Sequence, residues 1–175
     1  MVKKVGIFLC NIMILALSGC DTNPVTENHI QHTDIKVFFT PGLECENNII
    51  AKINKANKID IAVYSITNLY ITNAIIAAHK RGADIRVITD RTQSKGKKSL
   101  VGTIKKAGIP VLTNKKHKIE HNKFAVFDDV DVVSGSYNWT TNASMYNSEN
   151  CIFFIQPGKV YSNRFEQLWH MYNNN

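Results

Sequence analysis

Residues 121–138 have the sequence HNKFAVFDDVDVVSGSYN, in which two runs rich in Val and Phe flank an acidic cluster. Apolar runs separated by a short polar turn predict a β-hairpin. Side chains alternate between the two faces of a strand, so His121 and Lys123 point the same way. Ser136 and Asn138 do the same if the chain stays extended there. The hairpin therefore predicts four polar side chains at one edge.

These four side chains suit an anionic phosphate group. An imidazole can serve as a nucleophile or as a proton carrier near neutral pH. A lysine cation and an amide donor stabilise the negative charge that develops during attack at phosphorus. We therefore predict catalytic roles for His121 and Lys123, and phosphate binding by Lys123, Ser136 and Asn138.

The chain around the hairpin alternates strand and helix patterns. Strands are predicted over 35–39, 59–65, 83–89, around 111–112 and over 151–155, and helices over 49–58, 69–82, 100–107 and 160–172. Repeated alternation of strand and helix favours right-handed crossovers within one sheet. We therefore predict an α/β fold with a mixed, largely parallel sheet flanked by helices on both faces, in a single domain over 35–175.

The spacing H-x-K-x4-D-x6-G-S-x-N, which runs from His121 through Asp128 to Asn138, resembles the HKD signature of the phospholipase D superfamily. The flanking sequences WTTNA at 139–143 and NSEN at 147–150 resemble the small bacterial Nuc-type endonucleases of that superfamily. So do FTPG at 39–42, AVYS at 62–65, RGA at 81–83 and AGIP at 107–110. The resemblance covers nearly all of the presumed mature chain. It implies a fold of the α/β class and an enzyme that hydrolyses phosphodiester bonds.

The resemblance also implies a two-step reaction. One histidine attacks phosphorus to form a phosphohistidine, and a second histidine protonates the leaving oxygen. Glu149 matches the family position whose carboxylate orients the catalytic histidine. Asp128 belongs to the motif and is counted with the catalytic set, but strand parity places it on the opposite face from His121 and Lys123. That parity favours a turn-stabilising role.

The reaction needs two H-x-K motifs, and this chain contains one. We therefore predict a homodimer in which a two-fold axis brings both copies of His121 and Lys123 to a shared active site. No cofactor is implied. Two Lys123 side chains and an imidazolium can neutralise the phosphate charge without the clustered carboxylates that hold magnesium, and the sequence lacks the Cys/His spacing typical of zinc.

The N-terminus has the features of an export signal. Lys3 and Lys4 precede an apolar run over 5–17, and the sequence LSGC follows at 17–20. We predict a lipoprotein-type signal peptide over 1–19, lipidation at Cys20 and a polar flexible tether over 20–34. An uncleaved anchor and a plain signal peptide are the alternatives. The domain is then a membrane-anchored lipoprotein facing the periplasm or cell exterior, or it is secreted. An exported setting allows a disulfide between Cys45 and Cys151, although free thiols remain equally open.

The net charge is +7, and loss of residues 1–19 removes two lysines and no acids, which leaves 7 − 2 = +5. A basic chain suits nucleic acid or an anionic membrane. Arg91, Lys95, Lys97 and Lys98 form a candidate track for a phosphate backbone after the third predicted strand. Our first hypothesis is a non-specific endonuclease. The alternatives are a phospholipase D acting on membrane lipids and a catalytically inactive binding module at the cell surface.

Overall fold

The computed structural model describes residues 35–174. The predicted signal peptide, tether and lipidation site at Cys20 lie outside this range. Seven strands and five α-helices lie within it. They are β1 (Ile35–Phe39), α1 (Glu44–Lys55), β2 (Lys58–Val63), α2 (Leu69–Lys80), β3 (Asp84–Thr89), α3 (Val101–Lys106), β4 (Val111–Thr113), β5 (Lys123–Phe127), β6 (Asp131–Gly135), α4 (Thr141–Met145), β7 (Asn150–Ile155) and α5 (Gly158–Asn173).

The strands form one sheet in the order β1-β7-β6-β5-β2-β3-β4. The predicted α/β class, the mixed sheet and the helices on both faces are confirmed. The sheet is not largely parallel, however, because only the pairs β2–β3 and β3–β4 are parallel and the other four pairs are antiparallel. The segment 114–122 contains no helix that could carry the chain back to the opposite edge. Strand β5 therefore starts where β2, β3 and β4 end, and it runs antiparallel to β2.

Apolar side chains are buried on both faces of the sheet. Helices α1, α2 and α3 cover one face with side chains such as Ile49, Ile53 and Ile75. Helix α5 covers the other face, where it buries Phe165 and Leu168 against the central strands. Burial on both faces explains why β2 is a nearly continuous apolar run rather than an alternating one.

A disulfide joins Cys45 in α1 to Cys151 in β7, which resolves the choice that the sequence left open. Both cysteines are buried, and 106 positions separate them in the chain. The cross-link ties a helix of the first half of the domain to a strand of the second half. In the range 35–174, no helix combines the length and the apolar character needed to cross a bilayer.

The topology gathers several chain segments at one edge of the sheet, by which we mean the edge formed by the ends of the strands and not an outermost strand. Strands β2, β3 and β4 end there, and β5 begins there. The loops over 90–98 and 114–122 therefore meet at this edge, and β6 leads into the segment 136–149 at the same place. The open edge at the carboxyl ends of parallel strands is where α/β sheets place their ligands.

Candidate active site

An open cleft of about 410 Å³ lies at this edge and is lined by His121, Lys123, Gly135, Ser136, Asn138 and Glu149. The structure thus brings together the predicted residues of the hairpin and the predicted carboxylate from the start of β7. The geometric cause is the pairing of β5, β6 and β7 as neighbours, which places the start of β5, the end of β6 and the start of β7 side by side.

His121 and Lys123 are held against the aromatic ring of Tyr64. The His121 ring is exposed and meets the Tyr64 ring edge-on at 4.8 Å between centroids. Lys123 Nζ lies 5.0 Å from the centre of the same ring and donates a hydrogen bond to the carbonyl oxygen of His121 at 2.7 Å. Burial lowers the pKa of Lys123, while the negative charges of Glu149 and Glu120 oppose that effect. The ammonium is thus poised at the rim of the cleft.

Sequence reasoning missed Tyr64. It directly follows β2, and its hydroxyl accepts a hydrogen bond from Gln93 Nε2 at 3.0 Å. Gln93 belongs to the loop over 90–98 that carries the predicted basic track. The available signal was the position of Tyr64 at the carboxyl end of a buried strand, where ligand contacts are expected.

Gly135 allows the GSYN segment to approach β7 closely. Its φ is +145°, and a Cβ at this position would lie 2.4 Å from the carbonyl oxygen of Asn150. That carbonyl accepts hydrogen bonds from the backbone N–H groups of Ser136 and Tyr137, each at 3.1 Å. Any side chain larger than hydrogen would separate these groups. The glycine therefore fixes the direction in which Ser136 enters the cleft.

Ser136 and Asn138 present their polar atoms differently. Ser136 Oγ accepts a hydrogen bond from the backbone N–H of Asn150 at 3.1 Å, so its own proton remains to be donated to an anion. Asn138 Oδ1 is buried and has no hydrogen-bond partner within the described range 35–174. An orphaned polar atom beside a cleft is a group that a bound molecule or a docked surface would satisfy.

A buried polar network supports the GSYN segment from below. Tyr137 OH lies 2.7 Å from Ser144 Oγ, and Ser144 Oγ donates to Glu46 Oε2 at 2.8 Å. Asn68 Nδ2 donates to the same carboxylate oxygen at 2.6 Å, and the Asn68 backbone N–H binds the carbonyl oxygen of Trp139. Burial raises the pKa of Tyr137 to about 12, so its hydroxyl stays protonated. The network holds Tyr137 and Trp139 in the core and away from substrate.

Sequence reasoning also missed this network and helix α4. Glu46 shares its buried helix face with Ile49 and Ile53, at the spacing i, i+3, i+7, so periodicity alone marked it as an inward-facing carboxylate. Helix α4 begins after Thr140, whose side chain accepts a hydrogen bond from the backbone N–H of Ala143. That contact is a helix N-cap, for which threonine is a preferred residue.

The predicted basic track lies at the same edge as the cleft. Asp90 Oδ1 accepts hydrogen bonds from the backbone N–H groups of Thr92 and Gln93, and Asn114 joins the Arg91 N–H to the carbonyl oxygen of His117. These contacts fix the loops over 90–98 and 114–122 against each other. The side chains of Arg91, Lys95, Lys97 and Lys98 are exposed on this joined surface.

Asp128 lies outside the cleft. It follows the far end of β5, roughly 16 Å from Lys123 by strand geometry. Its Oδ1 accepts hydrogen bonds from the backbone N–H groups of Asn57 and Lys58, both at 2.9 Å, and its φ is +52°. The structure therefore corrects its inclusion in the catalytic set, because these contacts hold a turn in place and are remote from His121.

Glu149 lines the cleft without touching His121. Its Oε1 accepts a hydrogen bond from Asn147 Nδ2 at 3.0 Å, and its backbone N–H donates to Thr40 Oγ1. Within residues 35–174 the two side chains share no hydrogen bond, so Glu149 acts on the cleft as a nearby negative charge. Over the same residues, no group of three or more His, Cys, Asp or Glu side chains is arranged to hold a metal ion.

The chain is similar to known proteins over most of its length. The family described as "Cardiolipin synthase, PLD-like domain" matches residues 49–169. A protein named "Phospholipase D" from Rickettsia prowazekii is 31% identical over 162 residues, which cover 92% of this chain and 78% of that protein. A "Mitochondrial cardiolipin hydrolase" from Danio rerio is 34% identical over 120 residues, covering 67% of this chain and 53% of that protein. The chain thus spans about half the length of the cardiolipin hydrolase.

A solved structure shares the fold. The phospholipase D family member Nuc from Salmonella typhimurium superposes with a TM-score of 0.75 at 28% sequence identity. The match covers 79% of this chain and 95% of that one. The arrangement of the sheet and its flanking helices is therefore shared over nearly the whole of the described domain.

Proposed function

The chain belongs to the phospholipase D-like family of phosphodiesterases, and on that premise we propose that it is a metal-independent endonuclease that cleaves nucleic acid through a phosphohistidine. The observation that carries the choice of substrate is the set of exposed cations on the two loops that lie at the same edge of the sheet as the cleft. It consists of Arg91, Lys95, Lys97 and Lys98 on one loop and Lys116 and Lys118 on the next.

Exposed basic side chains lie on two neighbouring loops at the cleft edge, which suits a polyanion. The two basic loops are hydrogen-bonded to each other at the cleft edge through Asn114. At the opposite edge, Asp129 and Asp131 form salt bridges with Lys58 and Lys52. A phosphate backbone that enters the cleft would be attracted along the first edge.

The cleft supports attack at phosphorus by the imidazole of His121. A ring nitrogen forms a bond to phosphorus while the bond from phosphorus to the leaving oxygen breaks, and His121 of the partner subunit donates a proton to that oxygen. The partner's imidazole, now neutral, takes a proton from water, and the water oxygen displaces the first imidazole. Lys123, Ser136 and Asn138 supply a cation and hydrogen-bonding groups for the non-bridging oxygens.

The second histidine requires a homodimer, and the sheet offers a surface for one. Ile35, Val37 and Phe39 lie on one face of edge strand β1 and are 56%, 45% and 70% exposed. Helix α5 covers the same face only from β4 to β6, since its main contacts are with β2, β4, β5 and β6. The backbone N–H of Thr40, which follows Phe39, binds the carbonyl oxygen of Glu149. The apolar strip therefore adjoins the cleft, where a two-fold partner would complete the site.

The dimer can be tested with two variants that place the same charge on opposite faces of β1. Val37→Glu puts a carboxylate in the apolar strip, whereas Lys36→Glu puts one on the other face as a matched control. We expect sedimentation velocity to show a dimer for wild type and Lys36→Glu, and a monomer without activity for Val37→Glu. A wild-type protein that is monomeric and fully active would refute the shared site.

A phospholipase D activity is the second candidate. The relatives named "Phospholipase D" and "Mitochondrial cardiolipin hydrolase" favour it. The predicted lipid anchor at Cys20 would also hold the domain close to a bilayer. The buried disulfide between Cys45 and Cys151 supports the proposal of export, because such bonds persist in oxidising compartments. The complete set of cleft residues argues against an inactive binding module.

One experiment separates these candidates. Plasmid DNA in excess EDTA is incubated with wild type, with His121→Ala or with His170→Ala. The last variant is a control, because His170 is exposed and does not line the cleft. Parallel samples contain vesicles of phosphatidylcholine or cardiolipin. We expect plasmid cleavage by wild type and His170→Ala and none by His121→Ala. Release of choline or phosphatidic acid without plasmid cleavage would refute the endonuclease activity and favour the phospholipase D activity.

A further inference from the structure

We propose that Glu120 is a positioning residue whose buried carboxylate fixes the segment that carries His121 and Lys123. This inference rests on the proposed phosphodiester chemistry of the cleft. Glu120 does not line the cleft, so it acts through its neighbours and not on substrate.

One carboxylate oxygen of Glu120 closes a short loop around His121. Glu120 is 2% exposed, and its Oε1 accepts hydrogen bonds from both the backbone N–H and the side-chain amide of Asn122. The residue between them is His121. The carbonyl oxygen of Asn122 in turn accepts a hydrogen bond from the backbone N–H of Tyr64 at 2.8 Å, and the Tyr64 ring packs against the His121 ring. The carboxylate therefore fixes the backbone on both sides of the nucleophile.

The other carboxylate oxygen is bound by the last helix. Tyr172 OH, near the end of α5, donates to Glu120 Oε2 at 2.7 Å and lies 2.6 Å from His117 Nδ1. Burial, and then the hydrogen bond to Glu120, raise the pKa of Tyr172 well above its usual range, so the phenol stays protonated and remains a donor. The backbone N–H of Glu120 donates to Asp90 Oδ2 at 3.2 Å. Three separate parts of the chain thus hold this one residue.

The carboxylate is buried and forms no salt bridge within the described residues. Its hydrogen-bond partners among residues 35–174 are the neutral groups of Asn122 and Tyr172. A buried carboxylate is costly unless hydrogen bonds compensate for the loss of water, and Asn122 and Tyr172 donate three to Glu120. The ammonium of Lys123 is faced by Glu120, by Glu149, by the His121 carbonyl and by the Tyr64 ring. Of these, the two carboxylates raise its pKa against the effect of burial.

Two substitutions separate the charge of Glu120 from its hydrogen bonds. Glu120→Gln keeps the shape and one acceptor oxygen but removes the charge. Tyr172→Phe keeps the charge but removes a donor. Asp84→Asn serves as a matched control, since it neutralises an exposed carboxylate at the opposite edge of the sheet.

The assay is steady-state hydrolysis of bis(p-nitrophenyl) phosphate by the full-length protein between pH 6 and 10. Activity that needs the Lys123 cation falls as pH rises through its pKa, and loss of the Glu120 charge lowers that pKa. We therefore expect Glu120→Gln to reduce kcat about tenfold or more with KM nearly unchanged, and to move the basic limb of the profile to lower pH. Tyr172→Phe should reduce kcat without moving that limb, and Asp84→Asn should change neither.

Thermal unfolding of each variant accompanies the kinetics. The proposal is overturned if Glu120→Gln has the wild-type kcat and pH profile, or if it loses activity together with thermal stability while the basic limb stays in place. The small substrate reports hydrolysis common to both candidate functions. If wild type hydrolyses this small substrate but does not cleave plasmid DNA, the endonuclease proposal is refuted while the proposed role of Glu120 still stands.

Discussion

Removal of the disulfide between Cys45 and Cys151 should lower the free energy of unfolding by about 4–5 kcal/mol. The two cysteines are 106 positions apart, and in the chain-entropy treatment a cross-linked loop of about 100 residues stabilises the folded state by about 4.7 kcal/mol at 25 °C. Native domains of ordinary size are stable by about 5–15 kcal/mol in total. The cross-link therefore accounts for a large share of the stability of this domain.

The cleft itself should survive the loss of the cross-link. Cys151 lies one residue beyond Asn150, whose carbonyl oxygen holds Ser136 and Tyr137 in place. Strand β7 is also hydrogen-bonded to β1 on one side and to β6 on the other, and these contacts do not depend on the sulfur atoms. We expect the kcat of folded Cys45→Ala/Cys151→Ala to stay within about twofold of wild type, since an interaction outside the cleft changes stability and not the transition state.

The measurement is urea unfolding followed by the fluorescence of Trp139 and Trp169, for the oxidised wild type, the reduced wild type and the double variant. Peptide mapping without reduction establishes the link between Cys45 and Cys151. The single variant Cys45→Ala is the matched control and should equal the double variant if the bond is the source of the effect. A change below about 1 kcal/mol would refute the entropic argument, because strain in the native bond would then have to offset nearly all of the expected gain.

Three further predictions concern the cleft and the hairpin. Lys123→Arg should move the basic limb of the pH profile of kcat/KM to higher pH, because burial lowers the pKa of Lys123 whereas a guanidinium stays charged. An unchanged basic limb would show that another group titrates there. Replacing Lys95, Lys97 and Lys98 by Gln should reduce the slope of log binding constant against log salt concentration for DNA by about 0.9 per lost phosphate contact. Hydrolysis of a small phosphodiester should be unaffected. An unchanged slope in a filter-binding titration would refute DNA binding by these lysines. Asp128→Ala should lower the free energy of unfolding in urea by about 1–2 kcal/mol, because it removes the acceptor for two backbone N–H groups and because Asp128 itself has a positive φ. Asp128→Asn should leave the stability nearly unchanged. A loss of kcat in Asp128→Asn would return Asp128 to the catalytic set.

Much of the fold could be predicted from local patterns. The hairpin from Lys123 to Gly135 and the final helix were marked by the periods of two and 3.6 residues that strands and helices impose on buried side chains. The turn-stabilising role expected for Asp128 agrees with its contacts, although it is the length of β5 that separates Asp128 from His121. The direction of most strand pairs was not predictable in this way, because it depends on where the segment 114–122 re-enters the sheet. No local pattern records that path.

By itself, the sequence determined the spacing of His121, Lys123, Ser136 and Asn138 around one hairpin, and with it the expected class of chemistry, because the two strands of the hairpin are a local feature of the chain. Only the tertiary structure decided what surrounds them. Tyr64 beside the imidazole, Tyr172 beneath Glu120 and Glu46 beneath the GSYN segment come from distant parts of the chain. Their meeting depends on the order of all seven strands in the sheet and on the packing of α1 and α5 against its faces. Such contacts join residues whose separation in sequence carries no information about their distance in space, so they emerge only when the whole core is assembled.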